Sequence, residues 1–230
     1  MLAEGRIVVE GQFVWGSNYT FLARVHHAQG DLLAVYKPQR GEQPLWDFAD
    51  GTLASREVAA WCTSDNLGWH LVPPTVLRPD GPLGAGSLQR YLDLDPERHY
   101  FTFEEDEKQR LRPAALFDVL VNNADRKGGH ILLDEAGHVW LIDHGVCFHH
   151  EPKLRTVVWD FAGEPIPDDL RQDVAGFHRR LTTEAALQRT FAALLAPAEV
   201  EALQERAAAI VGQGTFPFPG EGRPYPWPLV

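Results

Sequence analysis

Residues 122–130 read NNADRKGGH, and residues 141–145 read LIDHG. Between them HILL and HVWLID flank the turn Asp-Glu-Ala-Gly at 134–137, a pattern that predicts two short antiparallel strands. A hairpin folds the chain back on itself, so positions 130 and 143 become neighbours. One glycine-bearing loop carrying Asp125, Arg126, Lys127 and His130 then faces a second carboxylate, Asp143. Taken singly, Asp125 reads as an Asx turn after a helix end and Asp143 as a hairpin exit. Taken together, the spacing favours a site. A carboxylate placed directly after the apolar run WLI is costly to bury without a cation or donors.

Upstream of the loop, EKQRLRPAALFDVLVNNA has helical texture: Phe117, Leu120, Val121 and Ala124 fall on one face at the i, i+3, i+4, i+7 interval. Downstream, three helices are predicted at about 168–181, 183–195 and 197–211, the last with Pro197 in its first turn. At the other end, RIVVEGQFVW, YTFLARVHH and DLLAVYK, joined by turn-like WGSNYT and AQGD, predict a three-stranded antiparallel meander. A helix is expected from about Leu53 to Asn66. Pro73-Pro74 breaks the chain, and LGAGSLQRYLDL predicts a further strand running into a linker. The tail FPFPGEGRPYPWPLV holds five prolines and can be neither regular helix nor central strand. It is expected to wrap the surface with Phe216 and Trp227 as apolar pegs. The element order predicts an α+β chain of two lobes with a ligand cleft between them. These are an antiparallel β-rich N-lobe with one helix at 1–91, a mainly helical C-lobe at 92–215 and a Pro-rich tail at 216–230.

Composition bounds the function classes. At 44% apolar and 23% charged residues the chain supports a real core. Its net charge of −11 argues against general nucleic-acid binding and against spontaneous adhesion to an anionic membrane. No apolar run approaches the roughly 20 residues of a membrane helix, no secretory leader is expected at the N-terminus, and no stable membrane anchor is expected. Cys62 and Cys147 are isolated and outside any metal-ligand spacing, which suits a reducing cytoplasm. His144, His149 and His150 lack the spacing of a zinc site. Trp159-Asp160-Phe161 reads as core plus a cap, with closure of the acceptor side as a second role.

Phosphoryl transfer needs a cation on the phosphates, divalent metal, a carboxylate beside the attacking hydroxyl and exclusion of water. Asp125 is the candidate for orienting or deprotonating that hydroxyl, and Lys127 for reaching the moving phosphoryl group. His130 and Asp143 are the candidate metal ligands. Protein kinases carry an aspartate, four intervening residues, a metal-binding Asn and later Asp-Phe-Gly. Here Asp125, four residues and His130 reproduce the first interval, and Asp143-His144-Gly145 the second element. NADRKGGHILL and LIDHG together resemble the Asp-Arg catalytic loop and Asp-Xaa-Gly metal motif of the phosphatidylinositol 3- and 4-kinases, nearest to the type II 4-kinases. Those enzymes, with secretory-pathway casein kinases and HipA-like toxin kinases, are atypical members of the kinase fold.

The resemblance, which runs over about residues 10–150, implies a two-lobed kinase-like fold using ATP with Mg²⁺ or Mn²⁺. AVYKP resembles the strand of the phosphate-binding lysine, Lys37, and LASREVAAW the helix of its glutamate partner, Glu57. GAGSLQRYLD resembles the adenine-holding strand and hinge, implicating the backbone of Gln89 and Tyr91. GSNYTF takes the place of the phosphate-covering turn, where Ser17 and Asn18 would contact nucleotide. Arg126 is expected to fix the loop. Each also has a plainer reading: Lys37 as a solvated strand end, Glu57 as an exposed helix residue, Ser17 and Asn18 as turn formers. Two departures stand out. His130 replaces the Asn, and the phosphate turn has one glycine. Imidazole suits Mn²⁺ better than Mg²⁺, so stronger activity with Mn²⁺ is expected. The departures keep open a nucleotide-binding pseudokinase, and an AMP-transferase is a third reading. The family suggests an inositol lipid as acceptor, whereas the acidic, anchor-free chain suits a protein or small-molecule hydroxyl at least as well.

Overall fold

A computed structural model describes residues 1–13 and 18–230, so Ser17 lies outside the described residues. Strands β1 (Arg6–Phe13), β2 (Thr20–His27) and β3 (Gly30–Pro38) form the meander, and β5 (Gly86–Arg90) pairs with β3. The five-stranded antiparallel sheet runs β1-β2-β3-β5-β4, closed by β4 (Thr75–Arg78) on its far edge. Strand β4 was not expected: four residues directly after Pro73-Pro74 are too few to show alternation. Helix α1 (Leu53–Leu67) ends where Gly68 turns left-handed at φ 75°, the conformation glycine supplies most cheaply.

The stretch from Glu104 is not one helix. It divides into α2 (Glu105–Lys108), a 3₁₀ turn and α3 (Arg112–Val121). Pro113 explains the break, because proline is tolerated in a first turn but not inside a helix. Asn122 then takes a left-handed φ of 52° and caps α3, which leaves Ala124 beyond the helix rather than on its face. The hairpin β6 (Ile131–Leu133) and β7 (Val139–Leu141) follows, and α4 (Asp168–Thr183), α5 (Ala185–Leu194) and α6 (Pro197–Gln213) complete the helical half.

Among the described residues three hydrophobic clusters form, the smallest of them Phe48, Leu53 and Ala124. A second, including Ala23, Val25, Ala34, Tyr36 and Leu88, lies on the sheet. A large one gathers α3, the hairpin and α4–α6, and it also takes Val58, Ala59, Ala60 and Leu67 of α1. Helix α1 is therefore packed into the core of the helical half while it flanks the sheet. The tail buries Phe216 at 3% exposure, but Trp227 stands 78% exposed and is no peg. Among the described residues, no helix is long and apolar enough to cross a membrane.

Candidate functional site

Lys37 lies on β3 in register with Ser87 of β5, one residue beyond the last β2 pairing at Tyr36, so the sheet fixes its backbone. Its ammonium donates to Glu57 Oε1 on α1, and at 2.9 Å to Asp143 Oδ1. Glu57 is 3% exposed, and its other oxygen, Oε2, accepts the His144 amide at 3.0 Å. One buried carboxylate thus ties the sheet, α1 and the segment after β7 together. Gly145 permits the approach: a Cβ there would stand 3.3 Å from the Leu53 Cβ of α1. Burial works against charge on Lys37, yet the Asp143 and Glu57 carboxylates outweigh it and raise its pKa well above the ordinary lysine range. The same ammonium holds Asp143 far below the usual carboxylate range, while burial pushes Glu57 up.

Arg126 organises the other half and has no exposed surface. Its Nε donates to both oxygens of Asp118 on α3, at 3.0 and 3.2 Å. Nη1 donates to the carbonyls of Ile142 and His130, at 2.7 and 3.3 Å, and Nη2 lies 2.7 Å from His144 Nε2. Asp118 is itself saturated by Asn123 Nδ2 at 3.1 Å and Thr156 Oγ1 at 3.0 Å. A guanidinium presents rigid, divergent donors, and here they clamp the carbonyls immediately beside Asp143 and at His130 itself. Burial depresses His144 well below the usual histidine range, with Arg126 reinforcing it, so the ring is neutral and acts as a hydrogen-bond partner.

The clamp sets the geometry of the loop. His130 Nε2 comes to 3.5 Å from Asp143 Oδ2, and Ile142 N–H closes the hairpin base by donating to His130 O at 3.1 Å. Asp143 takes a left-handed φ of 60°, which Asp tolerates better than most residues, and its side chain is half exposed. Burial pushes His130 down to about 4; Asp143 opposes this, while Arg126, Lys127 and Lys37 reinforce it. A neutral imidazole nitrogen beside an ionised carboxylate is a donor set that suits a divalent cation. Among the described residues no group of three or more such side chains gathers, so a cation here would need ligands from outside the protein. Asp125 pairs with Lys127 at 3.1 Å; burial raises its carboxyl and Lys127 partly offsets the rise.

The remaining expected residues that the structure describes are Asn18, Gln89 and Tyr91. Asn18 Oδ1 accepts the Gln43 amide at 2.7 Å, so its side chain ties the turn to the segment after β3. Gln89 is buried, with Nε2 donating to Thr75 Oγ1 at 2.8 Å. The Tyr91 amide is committed to Leu33 O at 3.0 Å, which leaves its carbonyl as the hydrogen-bonding group of that peptide edge. Asp118 is not among the residues expected from the sequence, although a lone carboxylate inside the apolar run LFDVLV is a visible signal. Asn122 is a second such residue. Its side chain donates to His149 O and Glu151 O, at 2.9 and 2.7 Å, and accepts from Lys153 N at 2.9 Å, shaping the segment beyond Gly145.

No known family model matches the chain. Among solved structures, the Helicobacter pylori proinflammatory kinase CtkA matches with a TM-score of 0.54 at 10% identity, over 94% of each chain. That likeness shows the fold: an α+β, two-lobed kinase-like architecture. Among curated proteins, Protein Rv2133c of Mycobacterium tuberculosis is 42% identical over 263 residues, spanning 99% of this chain and 94% of that protein. At that identity and coverage, the chain belongs to the same family as Rv2133c.

Proposed function

We propose that the chain is an ATP-dependent phosphotransferase that moves the γ-phosphoryl group to a hydroxyl acceptor. The observation that carries this reading is Lys37, held between the buried Glu57 and Asp143 on a kinase-like fold. Lys37 binds the α- and β-phosphates, and Glu57 keeps it extended from the sheet. Asp143 and His130 would hold a divalent cation, which when bound would neutralise charge on the phosphates. Lys127 offsets charge on the group in transfer. The acceptor oxygen bonds to the γ-phosphorus as the bond from phosphorus to the β–γ bridging oxygen breaks. ADP leaves, and the hydroxyl proton passes to Asp125 Oδ1, the oxygen that Lys127 does not hold. The Asp-Arg loop and Asp-His-Gly motif keep a phosphatidylinositol 3-/4-kinase-like origin as the finer reading, with an inositol lipid as one possible acceptor.

The test is γ-labelled ATP incubated with protein and Mn²⁺ or Mg²⁺, with products separated into lipid, protein and small-molecule fractions. Wild type loses label from ATP, faster with Mn²⁺, and Asp143→Ala stops it. Retention of label by wild type under every metal overturns catalysis. Equal rates with the two metals at matched concentration argue against His130 as a ligand. A nucleotide-binding protein without turnover is the second reading, favoured by the convergence of only two protein ligand side chains among the described residues. ATP that raises the melting temperature without loss of label selects it. Label from α-ATP on protein, without label from γ-ATP, selects AMP transfer instead.

A further inference from the structure

The catalytic loop has two sides. His130 Nε2 and Asp143 face the Lys37 ammonium, whereas Gly128 and Gly129 face the tail. Residues 224–229 bridge two walls there. Pro224 O accepts the Thr156 amide at 3.1 Å and the Trp159 indole N–H at 3.3 Å, and Leu229 O accepts the Gly128 amide at 2.7 Å. The glycine matters: a Cβ on Gly128 would meet the Phe101 ring at 2.6 Å and Leu229 O at 3.5 Å. A Cβ on Gly129 would lie 3.7 Å from Val230 Cγ1. The loop therefore presents bare backbone to a polypeptide segment lying across it, three residues beyond Asp125.

That polypeptide is held by these backbone bonds and by Pro226, its one buried residue between 224 and 230. Tyr225, Trp227, Leu229 and Val230 remain 48%, 78%, 38% and 58% exposed, so the apolar burial that opposes its departure centres on Pro226. Residues 216–230 also contain no serine or threonine, so what occupies the loop offers no aliphatic hydroxyl to Asp125. Thr156, which holds one end of the segment through its amide, also donates its hydroxyl to Asp118 of the Arg126 clamp. The tail thus rests on the framework that positions Asp125 and His130.

We propose that residues 224–230 fill the acceptor subsite as an intramolecular stand-in, and that the true acceptor is a hydroxyl-bearing polypeptide segment whose backbone carbonyl takes the Gly128 N–H after the tail leaves. This rests on the phosphotransferase reading for its chemistry, but binding tests it separately. A fluorescent peptide of residues 222–230 is titrated into the full chain and into a variant lacking 224–230. The variant binds the peptide at least tenfold more tightly, and casein, an unstructured polypeptide, receives label several-fold faster from the variant than from the full chain. Unlabelled peptide suppresses that transfer in competition with casein and not with ATP. Failure of a cooperatively melting variant to bind the peptide overturns the proposal, as does casein labelling that is unchanged or slower, or preferential labelling of inositol-lipid vesicles. A second measurement keeps the chain whole: Trp159→Phe removes the indole donor, and hydrogen exchange at the Gly128 amide accelerates several-fold. Unchanged Gly128 exchange counts against the tail contact. If neither protein transfers label to any acceptor, the phosphotransferase reading falls, while peptide binding still decides the subsite.

Discussion

Arg126 and Asp118 are buried together, and the guanidinium also reaches the carbonyls that flank the hairpin base. A buried pair broken on one side leaves an uncompensated charge. Arg126→Met is therefore expected to cost about 3–5 kcal/mol in urea unfolding, and Asp118→Leu in the same chain to recover part of that loss. A loss below about 1 kcal/mol, typical of exposed pairs, would contradict the clamp. His130 makes a second prediction. Its folded value near 4 lies below the ordinary 6.5, so the unfolded chain binds the proton first. Stability of metal-free protein is full above about pH 6.5 and falls as pH drops toward 4, by on the order of 2–3 kcal/mol from this ring. Glu57 and Asp143 shift in opposite directions, so the difference between wild type and His130→Asn isolates the imidazole. Melting curves at pH 7, 6 and 5 that run parallel in the two proteins would refute the assignment.

At the scale of elements, α1 is the hinge of the account. Arg56, 3% exposed, donates to Cys147 O at 2.7 Å and to Glu199 Oε1 of α6 at 2.5 Å. Its guanidinium also stands 4.8 Å from the centre of the Phe48 ring. Glu57, the next residue, is thereby presented to Lys37 from a helix anchored in the opposite half. Arg56→Met is expected to destabilise by about 3–5 kcal/mol, because Glu199 stays buried without its partner. It also weakens nucleotide binding by loosening α1; thermal unfolding and a nucleotide titration check the two parts. Much of this was legible in sequence. The meander, the hairpin and the three last helices announce themselves through alternation, turn chemistry and helical periodicity. Lys37, Glu57, His130 and Asp143 converge because the hairpin and the β3–α1 order bring them together. Strand β4 was too short to read, and Pro113 divided a helix that its apolar face made look continuous. The exposure of Trp227 was also illegible, since a proline-rich segment carries no periodicity to say which aromatic faces inward. Asp118 shows the remaining limit: a buried charge inside an apolar run signals a partner without naming it.

At the scale of the whole molecule, a sheet with its own small core sits against a helical half whose core reaches into α1. Among the described residues, charged groups bridge β3 to the hairpin exit at the site: Lys37, Glu57 and Asp143. In the absence of ligand, the Lys37 ammonium neutralises Asp143. Under the proposed function, bound phosphates and a divalent cation would take over that role, so that Lys37 and Asp143 would each keep an opposite charge nearby. Binding should therefore be strongly metal-dependent and sensitive to either side chain. The most direct test is calorimetric titration of the protein with a non-hydrolysable ATP analogue, with and without Mn²⁺, for wild type, Lys37→Met and Asp143→Asn. The account predicts Mn²⁺-dependent binding by wild type that weakens at least tenfold in both variants while their folds stay intact. Equal affinity in all three proteins, or wild-type binding indifferent to metal, would contradict it.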